Sequence, residues 1–476
     1  MPEFVGREAE LSTLRSLTQK KIASMAVVTG RRRIGKSRLV EEFARRSKGY
    51  RPVFLSGLAP VEGVTDAGQR EEFARQLQRE LALPPVSAGD WADLFEHLAR
   101  AVRRGRWIVL MDEISWMGSK DPSFLPKLKN AWDLALKKNP QLILLLCGSV
   151  SSWIDKNILS HTGFLGRISL RMRLSELPLK DCVQFFEPHA SRISAYDKLK
   201  VLSVIGGVPR YLEEIIGSQT ADENIARLCF QKEGLLFNEF DQIFSDLFER
   251  RSAAYKQLVK VLAEGAKEMN DIFDALGISK SGVVASYLDE LETAGFVKRD
   301  YTWSLKTTAV SKKSRFRLSD NYVRFYLKHI APNRSAIEKD RFQLRSISTL
   351  PGYDAMMGLA FENLVLGNRN IIWEQCGIAA SDIVQEGPLF QSPTKRRRGC
   401  QVDYVVQTKH GPIYLCEIKM SREPITASVI DEVRAKIDRL QIPRHASVLP
   451  VLVHVNGVAD AVHAKDYFAR FVDFSI

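Results

Sequence analysis

Residues 25–46 read MAVVTGRRRIGKSRLVEEFARR. Met25–Val28 is a short apolar run, as expected of a strand buried on both faces. Leu39, Val40 and Phe43 then fall at helical spacing, so the change of period brackets a loop between strand and helix. That loop, Gly30 to Ser37, fits GxxxxGK[ST]. Its glycines let successive backbone N–H groups converge on phosphate, at a helix N-terminus that already favours anions. Lys36 is placed to reach the β- and γ-phosphates of ATP, and the Ser37 hydroxyl to ligate Mg²⁺. Arg33, Ile34, Gly35 and Arg38 complete the expected nucleotide-binding set with Gly30, Lys36 and Ser37. Arg31, Arg32 and Arg33 fill variable positions, where backbone rather than side chain cradles phosphate. They are expected to form a solvated rim or to touch a neighbouring domain, with nucleic-acid contact the weaker reading.

A nucleotide site of this kind needs a second apolar strand that ends in acids. WIVLMDEIS at 107–115 supplies it, ending in Asp112 and Glu113. Asp112 is expected to hold the Mg²⁺ water shell, and Glu113 to orient or deprotonate the attacking water. A third strand, LILLLCGS at 142–149, ends at Ser149, which is either a γ-phosphate sensor or a turn residue.

The chain has 476 residues, enough for two to four domains at roughly 100–200 residues each. Its longest apolar runs, such as Leu142–Cys147, are far too short to span a membrane. The first ten residues lack the basic, apolar and small-residue succession of a signal peptide. Six cysteines without any CxxC spacing point to reduced thiols in a cytoplasmic protein and away from a cysteine-ligated zinc site. A net charge of +13 suits either polyanion partners or simple colloidal solubility.

Further motifs occur in order along the chain: FVGRE (Phe4–Glu8), LMDE, CGS, FLGR (Phe164–Arg167) and GGVPRYL (Gly206–Leu212). Together with the phosphate loop they resemble AAA-like archaeal and bacterial ATPases related to the STAND class. The resemblance covers about the first half of the chain. It implies that Val5, Gly6 and Arg7 lie against the adenine, and that Arg167 acts as an arginine finger or sensor, on its own site or a second copy's. It also implies that Gly206–Tyr211, with Pro209, carries the sensor of a helical lid. A cation supplied late would stabilise transition-state charge, which is the physical reason for an arginine there.

From Ala253 the pattern becomes helical, with Gly265, Gly277 and Gly295 where helices should stop and Ser279 or Ser281 as a cap. YTWSLKTTAVSKKSRFRLS alternates as a hairpin would, so three helices and a wing predict a winged helix. Asp289, Glu290 and Glu292 make its third helix a poor groove reader. Lys312, Lys313, Arg315 and Arg317 on the wing are available for DNA phosphates. The alternative is a packing module that couples the ATPase to the C-terminal residues. Residues 331–350 are the most linker-like segment.

Near the far end, LCEIKM (415–420) sets Glu417 and Lys419 two apart on one strand face. QVDYVVQ (401–407) and TKHGP predict a hairpin centred near His410, with Asp403 across from Glu417. Glu362 sits among apolar residues of the helix GLAFENLVLG. Two carboxylates, Asp403 and Glu417, can hold a divalent metal, and a lysine can orient or activate water. The order Glu, Asp, Glu-x-Lys resembles the PD-(D/E)XK nuclease superfamily, except that Asp403 follows valine rather than proline. By that resemblance Glu362, Asp403, Glu417 and Lys419 are the catalytic set. Four consecutive cations, Lys395–Arg398, enter the Asp403 strand and could grip phosphates.

The expected architecture is a multidomain α/β protein. It comprises a P-loop NTPase core (1–170), a helical lid (171–248), a winged helix (249–330), a linker (331–348) and a restriction-endonuclease-like α/β domain (349–476). The expected function is an ATPase acting on DNA, nucleotide state gating a metal-dependent nuclease. The alternative is a STAND-type signalling switch whose terminal domain binds DNA or a partner without cutting. ATP and Mg²⁺ are the expected cofactors and DNA the expected macromolecule. No membrane is involved, and a second copy of the chain is a candidate partner.

Overall fold

Strands β1 (Ser24–Gly30), β2 (Arg51–Ser56), β3 (Trp107–Asp112), β4 (Leu142–Ser149) and β5 (Ile168–Leu174) form one sheet in the order β2-β3-β4-β1-β5. The computed structural model describes residues 4–59, 63–149, 152–248, 251–393 and 398–475, the side chains of 152 and 246–248 excepted. These fall into two compact units, Met1–Leu177 and Pro178–Ile476.

Every strand pair of the first unit is parallel. All seven residues of β1 are buried, which is why its text is continuously apolar rather than alternating. Odd and even positions serve opposite faces. Val27, Val109, Leu144 and Leu146 pack with Phe73, Trp91, Phe95 and Phe124 from covering helices. Ala26, Val28, Ile143 and Leu145 pack with Leu11, Leu14, Leu39 and Phe43. β5 carries the sheet past residue 170 to Leu174. Because the strands are parallel, Gly30, Asp112 and Ser149 lie at one edge of the sheet. The loops that enter the strands lie at the other.

The second unit opens with the short helix Leu179–Cys182, followed by helices Ala195–Ile205, Pro209–Leu212, Ala221–Cys229 and Leu235–Phe248. Three more helices, Ser252–Ala263, Met269–Leu276 and Gly282–Ala294, accompany a small antiparallel sheet. Its strands β6 (Lys267–Glu268), β7 (Val297–Trp303) and β8 (Val310–Leu318) run in the order β6-β8-β7. Gly277 and Gly295 end their helices at φ +65° and +86°, and Ser281, not Ser279, caps the third helix by accepting from the Val283 N–H.

The stretch 331–348 differs from the expected tether. It includes the helix Arg334–Glu338, and Ile337 and Ile347 are buried. Arg334 donates to Asp241 and to the Tyr326 hydroxyl, and Asp222 accepts from the Ile347 N–H. Two buried isoleucines give the segment an apolar anchor that its polar composition hides.

The terminal sheet has β9 (Ile383–Gln391), β10 (Cys400–Thr408), β11 (Ile413–Lys419), β12 (Val448–His454) and β13 (Arg470–Asp473), in the order β13-β12-β11-β10-β9. β9, β10 and β11 are antiparallel neighbours, whereas β11, β12 and β13 are parallel. Val402, Val405, Leu415 and Leu452 pack against Val429, Ile430 and Val433 of helix Ser428–Arg439.

The β7–β8 hairpin joins this core. Trp303 and Leu305 are buried within it, Thr302 donates to the Phe390 carbonyl at 2.6 Å, and Trp303 Nε1 donates to Gln407 at 3.1 Å. Arg317 is correspondingly not available for phosphate. It is 8% exposed, bonded to Asp300 at 2.8 Å and to the Asn363 side chain. Arg315 donates to Gln401 and stacks over Phe390, and Lys313 donates to Ser392. The cations expected to meet DNA are largely spent on the terminal sheet; Lys312 remains exposed.

Candidate functional site

The phosphate loop leaves β1 at Gly30, which pairs in register with Ser149 of β4 and Leu174 of β5. A Cβ at Gly30 would lie 2.8 Å from Ile34 Cγ2 and 3.0 Å from the Leu174 carbonyl oxygen, so only glycine fits. The loop then turns through Arg33 at φ +67° and Gly35 at φ +88°, and the helix Lys36–Arg46 begins. Lys36 is buried, and its ammonium donates to the Gly30 and Arg31 carbonyls, both at 3.2 Å. Ser37 Oγ donates to Asp112 Oδ2 at 2.5 Å, so the two expected Mg²⁺ groups touch. A hydroxyl and a carboxylate at the phosphate end of the helix are hard oxygen donors that fit a hard cation.

Glu113 comes next at φ +47° and accepts from the Ser149 N–H at 3.4 Å. Burial raises its pKa, Lys36 opposes that rise, and Asp112 adds to it. A carboxylate held up in this way is better suited to take a proton from water than a free one. Ser149 contributes a backbone N–H beside Gly30, and its half-buried side chain lies at the same strand end.

Arg7 is a strut. It is 5% exposed and donates to the Ile34 carbonyl at 3.2 Å and the Ser175 carbonyl at 2.5 Å, which sets Val5–Arg7 beside the loop. Arg31 departs from the expected solvated rim, being buried and paired with Glu176 at 3.2 Å. Arg32, Arg33 and Arg38 are half-buried.

The structure does not bring Arg167 to this site. It immediately precedes β5, whose Ile168 pairs with Met25, while Leu174 pairs with Gly30. Arg167 is thus at the far edge, a strand length away or roughly 20 Å at 3.3 Å per residue. Its guanidinium forks onto Asp133 at 2.8–3.1 Å, away from the chain's own phosphate loop. Pro209 belongs to the second unit, where it opens the helix Pro209–Leu212.

The terminal sheet assembles the other set. Tyr404 pairs with Cys416, which sets Asp403 beside Glu417, and Asp403 Oδ2 accepts from the Ile418 N–H at 3.0 Å. Glu417 is 2% exposed and contacts Lys419 at 3.1 Å through Oε1. Glu362, on helix Tyr353–Gly367, is raised to about 7 by burial and then by the charge of Asp403.

One member was missed. Lys436 Nζ lies 2.5 Å from Glu417 Oε2 and 3.6 Å from Asp403 Oδ1, between the two acids. Burial works against its charge, but Asp403 and Glu417 hold its pKa above the usual lysine value. The available signal was spacing: Glu432 and Lys436 are four apart on one helix face, and Glu432 pairs with Lys419 at 2.8 Å. Among the described residues, no three His, Cys, Asp or Glu side chains gather so as to hold a metal ion. With the Lys436 ammonium between the two acids, a divalent cation would have to displace it before Asp403 and Glu417 could hold one. Thr394–Arg397, most of the expected basic loop, lie outside the described residues.

Residues 4–215 match a family model described as an ATPase domain predominantly from Archaea. This span is an ATPase domain. An uncharacterized protein of Methanocaldococcus jannaschii is 28% identical over 368 residues, 76% of each chain. A Walker-type ATPase of Pyrococcus abyssi shares the fold at a TM-score of 0.51 and 16% identity, over 68% of this chain and 96% of that one. The Aeropyrum pernix ORC2 protein, solved as ADPNP–ADP complexes, is similar at 0.43 and 13% identity, over 71% and 96%. No helix among the described residues is long and apolar enough to cross a membrane.

Proposed function

We propose that the chain binds and hydrolyses ATP and acts on DNA, with nucleotide state setting how a nuclease-like terminal domain engages its target. The observation that carries this reading is the meeting of Lys36, Ser37, Asp112 and Glu113 at three adjoining points of one sheet edge. Phosphate approaching the loop would take over the Lys36 ammonium from the carbonyls it now serves. Ser37 and Asp112 would hold Mg²⁺, which neutralises charge on the transferring phosphoryl group. Glu113 would orient water and accept its proton. Val5–Arg7 would support the base through the Arg7 strut. Arg167, forked onto Asp133 at the opposite edge, takes no part in this step.

In the second unit, three helices and the β7–β8 hairpin have the make-up of a winged helix, used here to pack rather than to read bases. The order helix, three antiparallel strands, helix, parallel strand around Glu362, Asp403, Glu417 and Lys419 supports a PD-(D/E)XK-like domain. The second reading, a switch that engages DNA without cutting, is favoured by Lys436, whose ammonium already balances the acid pair.

The test is incubation of plasmid and linear DNA with the purified chain, with and without ATP and Mg²⁺ or Mn²⁺. The first reading expects metal-dependent nicks that vanish in Asp403→Ala while ATP turnover persists. DNA left intact under every condition would sink it and leave the switch.

A further inference from the structure

The edge of the first unit's sheet opposite the nucleotide site has a composition of its own. Four loops enter β1, β2, β3 and β4 there, at residues 20–23, 47–50, 102–106 and 135–141, and none contains Asp or Glu. Lys20, Lys21, Lys48, Arg103, Arg104 and Arg106 are exposed, and among the described residues none of them has an acidic partner. Lys138, before β4, extends the same row. The nearby acid, Asp133, is already neutralised by Arg167, Lys129 and Lys137.

The loops before β2, β3 and β4 are also pinned to one another. Buried Asn139 donates to the Val102 and Gly105 carbonyls at 2.7 and 2.9 Å, fixing the β4 loop to the β3 loop. The Arg51 N–H donates to the Arg106 carbonyl at 2.9 Å, and the Arg51 guanidinium lies 3.8 Å over the Trp107 ring, fixing β2 to β3. The cations therefore stand on a rigid floor, and little backbone order would be lost on binding.

We propose that this edge is a second, ATP-remote site that takes the phosphate backbone of duplex nucleic acid. Four strands spaced by about 4.8 Å make a row roughly 15 Å long. Duplex DNA presents one charge per about 1.7 Å of axis, so a row of this length meets a comparable number of phosphates. Arginine forks match phosphate oxygens better than lysine does. An anionic lipid surface would instead favour an amphipathic helix that can insert, and these cations sit in short pinned turns. The proposal rests on the DNA-acting reading above and locates the contact on the ATPase domain rather than on the wing.

Fluorescence anisotropy of a labelled 30-bp duplex, titrated with the full chain across a NaCl series, tests this. Three forms of the chain are compared: wild type, R103Q/R104Q/R106Q, and the charge-matched control R75Q/R79Q/R434Q, whose arginines are each paired with acids elsewhere. The rim variant should bind at least tenfold more weakly and lower the salt slope by about 2–3, from three lost phosphate contacts. The control should stay within twofold of wild type, and ATP turnover should be unchanged in both. Wild-type binding that the rim variant retains would overturn the rim alone. Absence of wild-type binding at every salt would overturn the DNA-acting reading with it. A rim variant that loses only its sedimentation with phosphatidylserine vesicles would assign the edge to lipid and overturn the proposal.

Discussion

At the strand ends of the first unit, Asp112 and Glu113 look onto a serine hydroxyl and a curled backbone. In the terminal sheet, Asp403 and Glu417 look onto the ammonium groups of Lys436 and Lys419. Both places gather acids at strand ends or on a strand face beside a lysine. They differ in which charge is still owed a partner. In the first, among the described residues, Lys36 bonds to neutral carbonyls, so a polyphosphate and its cation complete the balance. In the second, two acids already meet two ammoniums, and a new cation must displace one. Acid-rich motifs are therefore read correctly only once their neutralising groups are known.

Removing each lysine sharpens that contrast. Lys36→Ala should show the larger loss, at least a hundredfold in ATP affinity by calorimetry, on the order of 3 kcal/mol for a charge-assisted bond to phosphate. Unaltered nucleotide binding would mean that the loop is not a phosphate cradle. Lys436→Met should destabilise the second unit by on the order of 2–3 kcal/mol, because buried Glu417 loses a counter-charge. Millimolar Mg²⁺ or Mn²⁺ should restore its melting temperature, since the space between the acids becomes available to a cation. A melt unchanged by both the substitution and the metal would break the comparison.

The smallest effect concerns Glu362. Its folded pKa, about 7, exceeds its ordinary 4.5, so the fold favours the protonated carboxyl. The stability it contributes is complete below about pH 4.5 and is lost as pH rises through 7. Glu362→Gln should therefore melt with wild type near pH 4.5 and above it at pH 8. Equal melting at both values would show that Asp403 and burial do not act on this acid.

The nucleotide half of the molecule was legible because parallel strands write their burial as continuous apolar runs, and the loop's glycines mark its turn. Asp403 and Glu417 were legible from hairpin arithmetic about His410, since a two-residue period leaves few registers. Arg167 was not, because a motif's order along the chain does not say at which end of a sheet it falls; that needed the pairing of Ile168 with Met25. Lys436 was hidden by distance from the acids in sequence, and Arg317 by a wing whose exposed-looking alternation is covered by another sheet. Ile337 and Ile347 anchor a segment whose polar text reads as a tether.

The central claim is that Glu113 works on water beside nucleotide held by Lys36, Ser37 and Asp112. Steady-state ATP turnover and ATP binding, measured side by side for Glu113→Gln, test it most directly. The account predicts turnover lower by roughly 10²–10⁴ with affinity preserved; turnover equal to wild type would contradict it.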